Sequence, residues 1–143
     1  MIIAIDGLSA NGKTTLAKML AQKLNIEYLS TGNIYRCMAL EIINKNLDIN
    51  NLCSVIECLK KVKINFKNDE VYLNDKNVTT DIRTDEISLK STTYGMLEEI
   101  KELVRKVQKE YIQKDNIVIE GRDICTRIAP DADFIYMQIL KLD

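Results

Sequence analysis

The sequence of 143 residues contains no histidine and no tryptophan, a single proline (Pro130) and only five glycines. Without histidine, these residues supply no imidazole base, no Ser-His triad and no His metal ligand. With one proline and no Ser/Gly-rich stretch there is no linker, and the connections between elements should be short. An excess of one charge is missing too. Lys and Arg total 20 against 21 Asp and Glu, a net charge of -1, which disfavours a protein that coats nucleic acid. No apolar run reaches membrane-spanning length, so no membrane partner is expected. Residues 1–6 are apolar but lack a basic leader and end in Asp6, and they read as a buried strand rather than a signal peptide. The cysteines Cys37, Cys53, Cys58 and Cys125 form no C-x-x-C pair. They are expected to be reduced thiols of a cytoplasmic protein, not disulfides or zinc ligands.

What is present is an ordinary balance for one folded domain, with 46% hydrophobic and 29% charged residues. Residues 1–6 read as a strand and 13–24 as a helix with Leu16, Met19, Leu20 and Leu24 on one face. A short strand at 26–29 precedes helices at 33–44, with Ile34, Met38 and Ile42, and at 52–59. The period then changes. Ile64 and Phe66 alternate with polar residues, Asn68-Asp69 and Asn74-Asp75 are turn signals, and 71–73 and 77–78 are apolar or mixed. This predicts a small antiparallel meander. Residues 85–93 read as a helix capped by Thr84 or Asp85. Leu97, Ile100, Val104, Val107 and Tyr111 mark a long amphipathic helix. Ile117-Val118-Ile119 and the apolar run 134–140 complete a set of apolar strands separated by helices. Such a set implies an α/β fold, a parallel sheet covered by helices on both faces, with the meander inserted into it.

The strongest motif is Gly7-Leu8-Ser9-Ala10-Asn11-Gly12-Lys13-Thr14, which matches G-x-x-x-x-G-K-[ST] between a strand and a helix. Backbone N–H groups at a helix start, together with the helix dipole, attract a polyphosphate. Gly7 and Gly12 allow its close approach. Lys13 supplies a cation for the β and γ phosphates, and Thr14 a hydroxyl for Mg²⁺. Thr15 adds a hydroxyl near the α-phosphate. Farther on, Ser30 or Thr31 caps a helix in which Arg36, one turn in, presents a guanidinium fork suited to a phosphate.

Beyond this loop the sequence resembles the cytidylate kinases, which phosphorylate CMP and dCMP from ATP. The resemblance rests on Ser30-Thr31-Gly32-Asn33-Ile34-Tyr35-Arg36, on Asp81-Ile82-Arg83-Thr84-Asp85-Glu86-Ile87, on Glu120-Gly121-Arg122-Asp123 and on Ala129-Pro130-Asp131-Ala132. It implies a P-loop NTPase-like kinase core over 1–143, with about 62–92 as an inserted monophosphate-binding subregion. By the same resemblance Thr31, Arg36 and Arg122 hold the acceptor phosphate, Arg83 lies near it, and Asp123 accepts a hydrogen bond from the cytosine amino group. Lys13, Arg36 and Arg122 are the catalytic residues it implies, with ATP and Mg²⁺ as cofactors.

Three departures sharpen these expectations. Thr92 and Lys101 stand where the family places Ser and Arg around the base, and Lys101 loses the planar fork. Glu120 stands where Asp is common, and with Thr14 it is the expected metal ligand. Residues 137–143 carry none of the arginine-rich helix and lid with which the family continues. From this the chain is expected to be truncated at its C-terminal side, to be slowed in phosphoryl transfer and to self-associate through that side. The alternatives are a catalytically impaired nucleotide-binding protein and a kinase for another small acceptor such as UMP.

Overall fold

The computed structural model describes residues 1–7, 13–114 and 116–137, Lys13 by its backbone only. In chain order its elements are β1 (Ile2–Asp6), α1 (Lys13–Leu24), β2 (Glu27–Ser30), α2 (Thr31–Asn44), α3 (Leu52–Leu59), β3 (Ile64–Lys67), β4 (Glu70–Leu73) and β5 (Lys76–Asn77). A 3₁₀ turn (Asp81–Arg83), α4 (Asp85–Tyr94), α5 (Glu98–Ile112), β6 (Ile117–Gly121), a π-helical turn (Ile124–Ile128) and β7 (Phe134–Met137) follow. They form two compact units, Met1–Thr31 with Gln108–Asp143, and Gly32–Val107. The expected inserted subregion, about 62–92, lies within the second.

The first unit is built on a four-stranded sheet in the order β2-β6-β1-β7, parallel throughout. This is the α/β arrangement that apolar strands alternating with helices demand. Ile3, Ile5 and Val118 pack with Ala17, Ala21 and Tyr28, flanked by the partly buried Leu16, Leu20 and Ile26. The expected apolar face of α1 is therefore rotated. Met19 and Leu24 are 50% and 43% exposed, and two alanines take their place because small side chains let the helix approach the sheet closely. The helix ends on Asn25 at φ 53. Ile26 N–H donates to the Ala21 carbonyl at 3.0 Å and Asn25 N–H to Gln22 at 3.3 Å, a Schellman ending with Asn in the role usual for Gly. It also delays β2 by one residue. Among the described strands β7 is hydrogen-bonded only to β1, and its four residues are 48% to 60% exposed. Residues 138–140 of the expected apolar run lie outside the described residues.

The second unit holds the meander β3-β4-β5. Ile64 and Phe66 face inward opposite Leu73 and Val71, and Asn65 and Lys67 face out. Both hairpins turn on two left-handed residues, Asn68-Asp69 and Asn74-Asp75, with φ between 50 and 68. That is the pattern of a type I′ turn, whose twist matches the strands. Asn74 also donates to the buried Glu41 carboxylate of α2 at 2.8 Å and accepts from Lys63 N–H at 2.9 Å, which ties the meander to the helix. The expected cap of α4 is Thr84, whose hydroxyl accepts from Ile87 N–H at 3.2 Å. All four cysteines are free thiols. No helix among the described residues is long and apolar enough to cross a membrane.

Candidate active site

In the first unit the candidate residues collect at the carboxyl ends of parallel strands, where open α/β sheets bind ligands. β1 ends at Asp6, in register with Gly121 of β6, and Ile5 faces Glu120. The expected phosphate-loop residues Leu8, Ser9, Ala10, Asn11 and Gly12, and the side chain of Lys13, lie outside the described residues. Thr14 and Thr15 are exposed in the first turn of α1.

Beside this end lies a buried hydrogen-bond chain. Gln108, 2% exposed, donates from Nε2 to the Thr31 hydroxyl at 2.7 Å, and that hydroxyl donates to the Glu120 carbonyl at 2.7 Å. A Cβ on Gly121 would fall on the Thr31 hydroxyl oxygen and within 2.8 Å of the Thr31 Cβ, so only glycine permits this approach. In this structure the proton of the Thr31 hydroxyl points at a backbone carbonyl. Thr31 here joins the start of α2 to the end of β6. Gln108 was missed because the apolar spacing pointed to Val107. The buried stripe of α5 runs through Ile100, Val104, Gln108 and Tyr111, and a polar residue on such a stripe is the signal.

Past Gly121 the chain turns sharply. Arg122 and Asp123 are both exposed, and Asp123 is left-handed at φ 57, ψ 24. Its N–H donates to Asp6 Oδ1 at 3.0 Å, and Cys125 N–H donates to Asp6 Oδ2 at 3.3 Å. A π-helical turn follows, closed by Ala129 N–H on the Ile124 carbonyl at 2.8 Å, a backbone form common at functional sites. Burial, and secondarily the Asp6 charge, push the Cys125 thiol pKa up, so it is not a thiolate nucleophile. Glu120 is 3% exposed.

In the second unit Arg36 donates from Nη1 to the Ile82 carbonyl at 2.9 Å and to Ser88 Oγ at 2.7 Å. Burial, and then the neighbouring Arg83 guanidinium, lower its pKa, yet an arginine stays charged. No carboxylate among the described residues pairs with Arg36 or Arg83. Both bonds use Nη1, so Nη2 and Nε remain for a second fork. Arg83 is exposed at the end of the 3₁₀ turn. Thr92 is exposed, and its hydroxyl donates to the Ser88 carbonyl at 3.1 Å, a back-bond within α4. Lys101 is half-buried on α5. Of the expected acceptor set, Thr31, Arg122 and Asp123 thus fall in the first unit, and Arg36, Arg83, Thr92 and Lys101 in the second.

The sequence matches the family model described as Cytidylate kinase over residues 3–139. It is similar to the cytidylate kinase of Clostridioides difficile (strain 630), with 34% identity over 97% of this chain and 64% of that protein. It is also similar to those of Fervidobacterium nodosum, with 42% identity over 91% of this chain and 59% of that protein, and of Thermotoga maritima, with 39% over 91% and 60%. The chain spans about three-fifths of the length of these curated relatives.

Proposed function

The chain belongs to the cytidylate kinase family, and on that premise we propose that it transfers the γ-phosphoryl group of ATP to CMP or dCMP, giving CDP or dCDP. The observation that carries this reading is the Arg36–Arg83 pair. Arg36 is held through Nη1 by the Ile82 carbonyl and Ser88 Oγ and has no carboxylate partner among the described residues, and burial, then the neighbouring Arg83 guanidinium, lower its pKa, so that an anion would stabilise its charge. A nucleoside monophosphate brings a compact dianion, and the free Nη2/Nε edge of Arg36 suits it bidentately. In the first unit Arg122 offers a further cation for a phosphate. Asp123 takes the exocyclic amino group of cytosine as acceptor, and Thr92 and Lys101 stand at the positions where the family has Ser and Arg for the base.

The donor half of the reaction belongs to the loop 7–12 and the start of α1. Its amides and Lys13 hold the β and γ phosphates, with the hydroxyls of Thr14 and Thr15 behind them. Thr14 and Glu120 offer oxygen donors only, the chemistry that Mg²⁺ takes. When bound, Mg²⁺ neutralises charge on the donor phosphates. The residues themselves act by positioning and charge: Arg36 holds the acceptor phosphate, Arg122 and Lys13 supply further positive charge, and transfer is in line without a covalent enzyme intermediate. Four free thiols accord with action in the cytoplasm.

A coupled assay of ADP formation over a panel of CMP, dCMP, UMP and AMP tests the reading. Turnover that needs Mg²⁺ and favours CMP or dCMP is expected. Preference for UMP would reassign the acceptor through Lys101. A shift in melting temperature with CMP but no product would reduce the chain to a nucleotide-binding protein.

A further inference from the structure

Asp6 lies outside the phosphate-loop motif and outside every residue so far given a contact with nucleotide, yet its position is unusual. It is the last residue of β1, directly before Gly7, and both of its carboxylate oxygens face backbone N–H groups of a segment 117 and 119 residues away. Those groups, from Asp123 and Cys125, lie where a strand has ended and a left-handed residue leads into a π-helical turn. Neither is used by the internal bonds of that turn, which run from Arg127 to Asp123 and from Ala129 to Ile124. Backbone donors at such a break need an acceptor. A non-glycine left-handed residue also persists only where its surroundings over-determine it.

We propose that Asp6 is a positioning residue that latches the Arg122–Asp123 turn, so that the strand leading into the phosphate loop also fixes the residues that read the acceptor. The carboxylate acts as a two-pronged acceptor, one oxygen for each N–H, and sets the direction in which the Asp123 side chain leaves the turn. Asp6 touches neither nucleotide. It acts through the backbone of Asp123, and the assignment of a base-reading role to Asp123 rests on the function proposed above. The arrangement has a consequence for specificity. Loosening the latch should affect discrimination between cytosine and uracil more than phosphoryl transfer itself.

Asp6→Asn is the informative variant. It keeps the size of the side chain but replaces one acceptor oxygen with an amide that cannot accept from N–H. Hydrogen exchange followed by mass spectrometry should show the 121–129 segment exchanging at least tenfold faster in Asp6→Asn than in the parent protein, with β2 and the meander unchanged. This readout holds whatever nucleotide the protein takes. Calorimetric titration should then show CMP affinity falling five- to twentyfold and the CMP-over-UMP preference shrinking. In an Asp123→Asn background the same Asp6→Asn change should cost less than twofold, because the two residues act through one path. Unchanged exchange across 121–129, or full additivity of the two substitutions, would overturn the latch. Absence of CMP binding in the parent protein would instead overturn the proposed substrate, while the exchange experiment still decides the latch.

Discussion

The two regions that carry the candidate residues solve opposite electrostatic problems. At the sheet end of the first unit several polar groups have protein partners. Asp6 holds two amides, Thr31 holds a carbonyl, and Gln108 holds Thr31. In the second unit Arg36 is steadied by two neutral oxygens, faces another guanidinium and has no counter-charge among the described residues. The difference separates shape from affinity. A network whose donors and acceptors are matched is rigid and offers geometry, whereas unmatched positive charge is a standing invitation to an anion. The first region should therefore respond to substitution mainly in stability and specificity, the second mainly in acceptor binding.

The largest effect should come from neither region but from the loop between β1 and α1. Lys13→Ala is expected to lower turnover by about a thousandfold or more, as loss of a cation facing transferring charge does, while the unfolding midpoint in urea stays put. Unchanged turnover would break the donor half of the account. Next, Arg36→Ala should raise the KM for CMP by about ten- to a hundredfold, the range for a lost charge-assisted bond, with the KM for ATP nearly unaltered. Steady-state kinetics with each nucleotide varied in turn separates the two.

Smaller effects sharpen the contrast. Gly121→Ala forces a Cβ against Thr31 and should cost about 1–3 kcal/mol of stability, the usual range for overpacking, read by chemical denaturation. An equal loss for an alanine at an exposed site such as Lys67 would remove the special status of that contact. Ser88→Ala removes one of the two acceptors that steady Arg36 and leaves the Ile82 carbonyl. The KM for CMP should rise only about three- to tenfold, well short of the Arg36→Ala effect.

Much of this was legible in the chain because it is local. Asn68-Asp69 and Asn74-Asp75 announce their turns since few residues accept positive φ, Thr84 announces its cap, and the loop motif sits between a strand and a helix where phosphate chemistry needs it. What stayed hidden depends on partners far away in sequence. Asp6 looks like a strand end until Asp123 is placed over it. Ser88 looks like a helix surface residue until Arg36 reaches it. Thr31 looks like a helix cap until its hydroxyl is seen donating to the Glu120 carbonyl. The exposure of Met19 and Leu24 was equally hidden, because helical spacing marks two neighbouring faces of α1 and only the sheet chooses between them.

The claim on which the functional reading turns is that the second unit binds a phosphate through Arg36 and Arg83. Calorimetric titration with CMP and with cytidine, which lacks only the phosphate, tests it directly. The account predicts binding of CMP at least a hundredfold tighter than cytidine, a gap that closes in Arg36→Ala. Equal affinity for the two ligands in the parent protein, or a gap that survives the substitution, would contradict it.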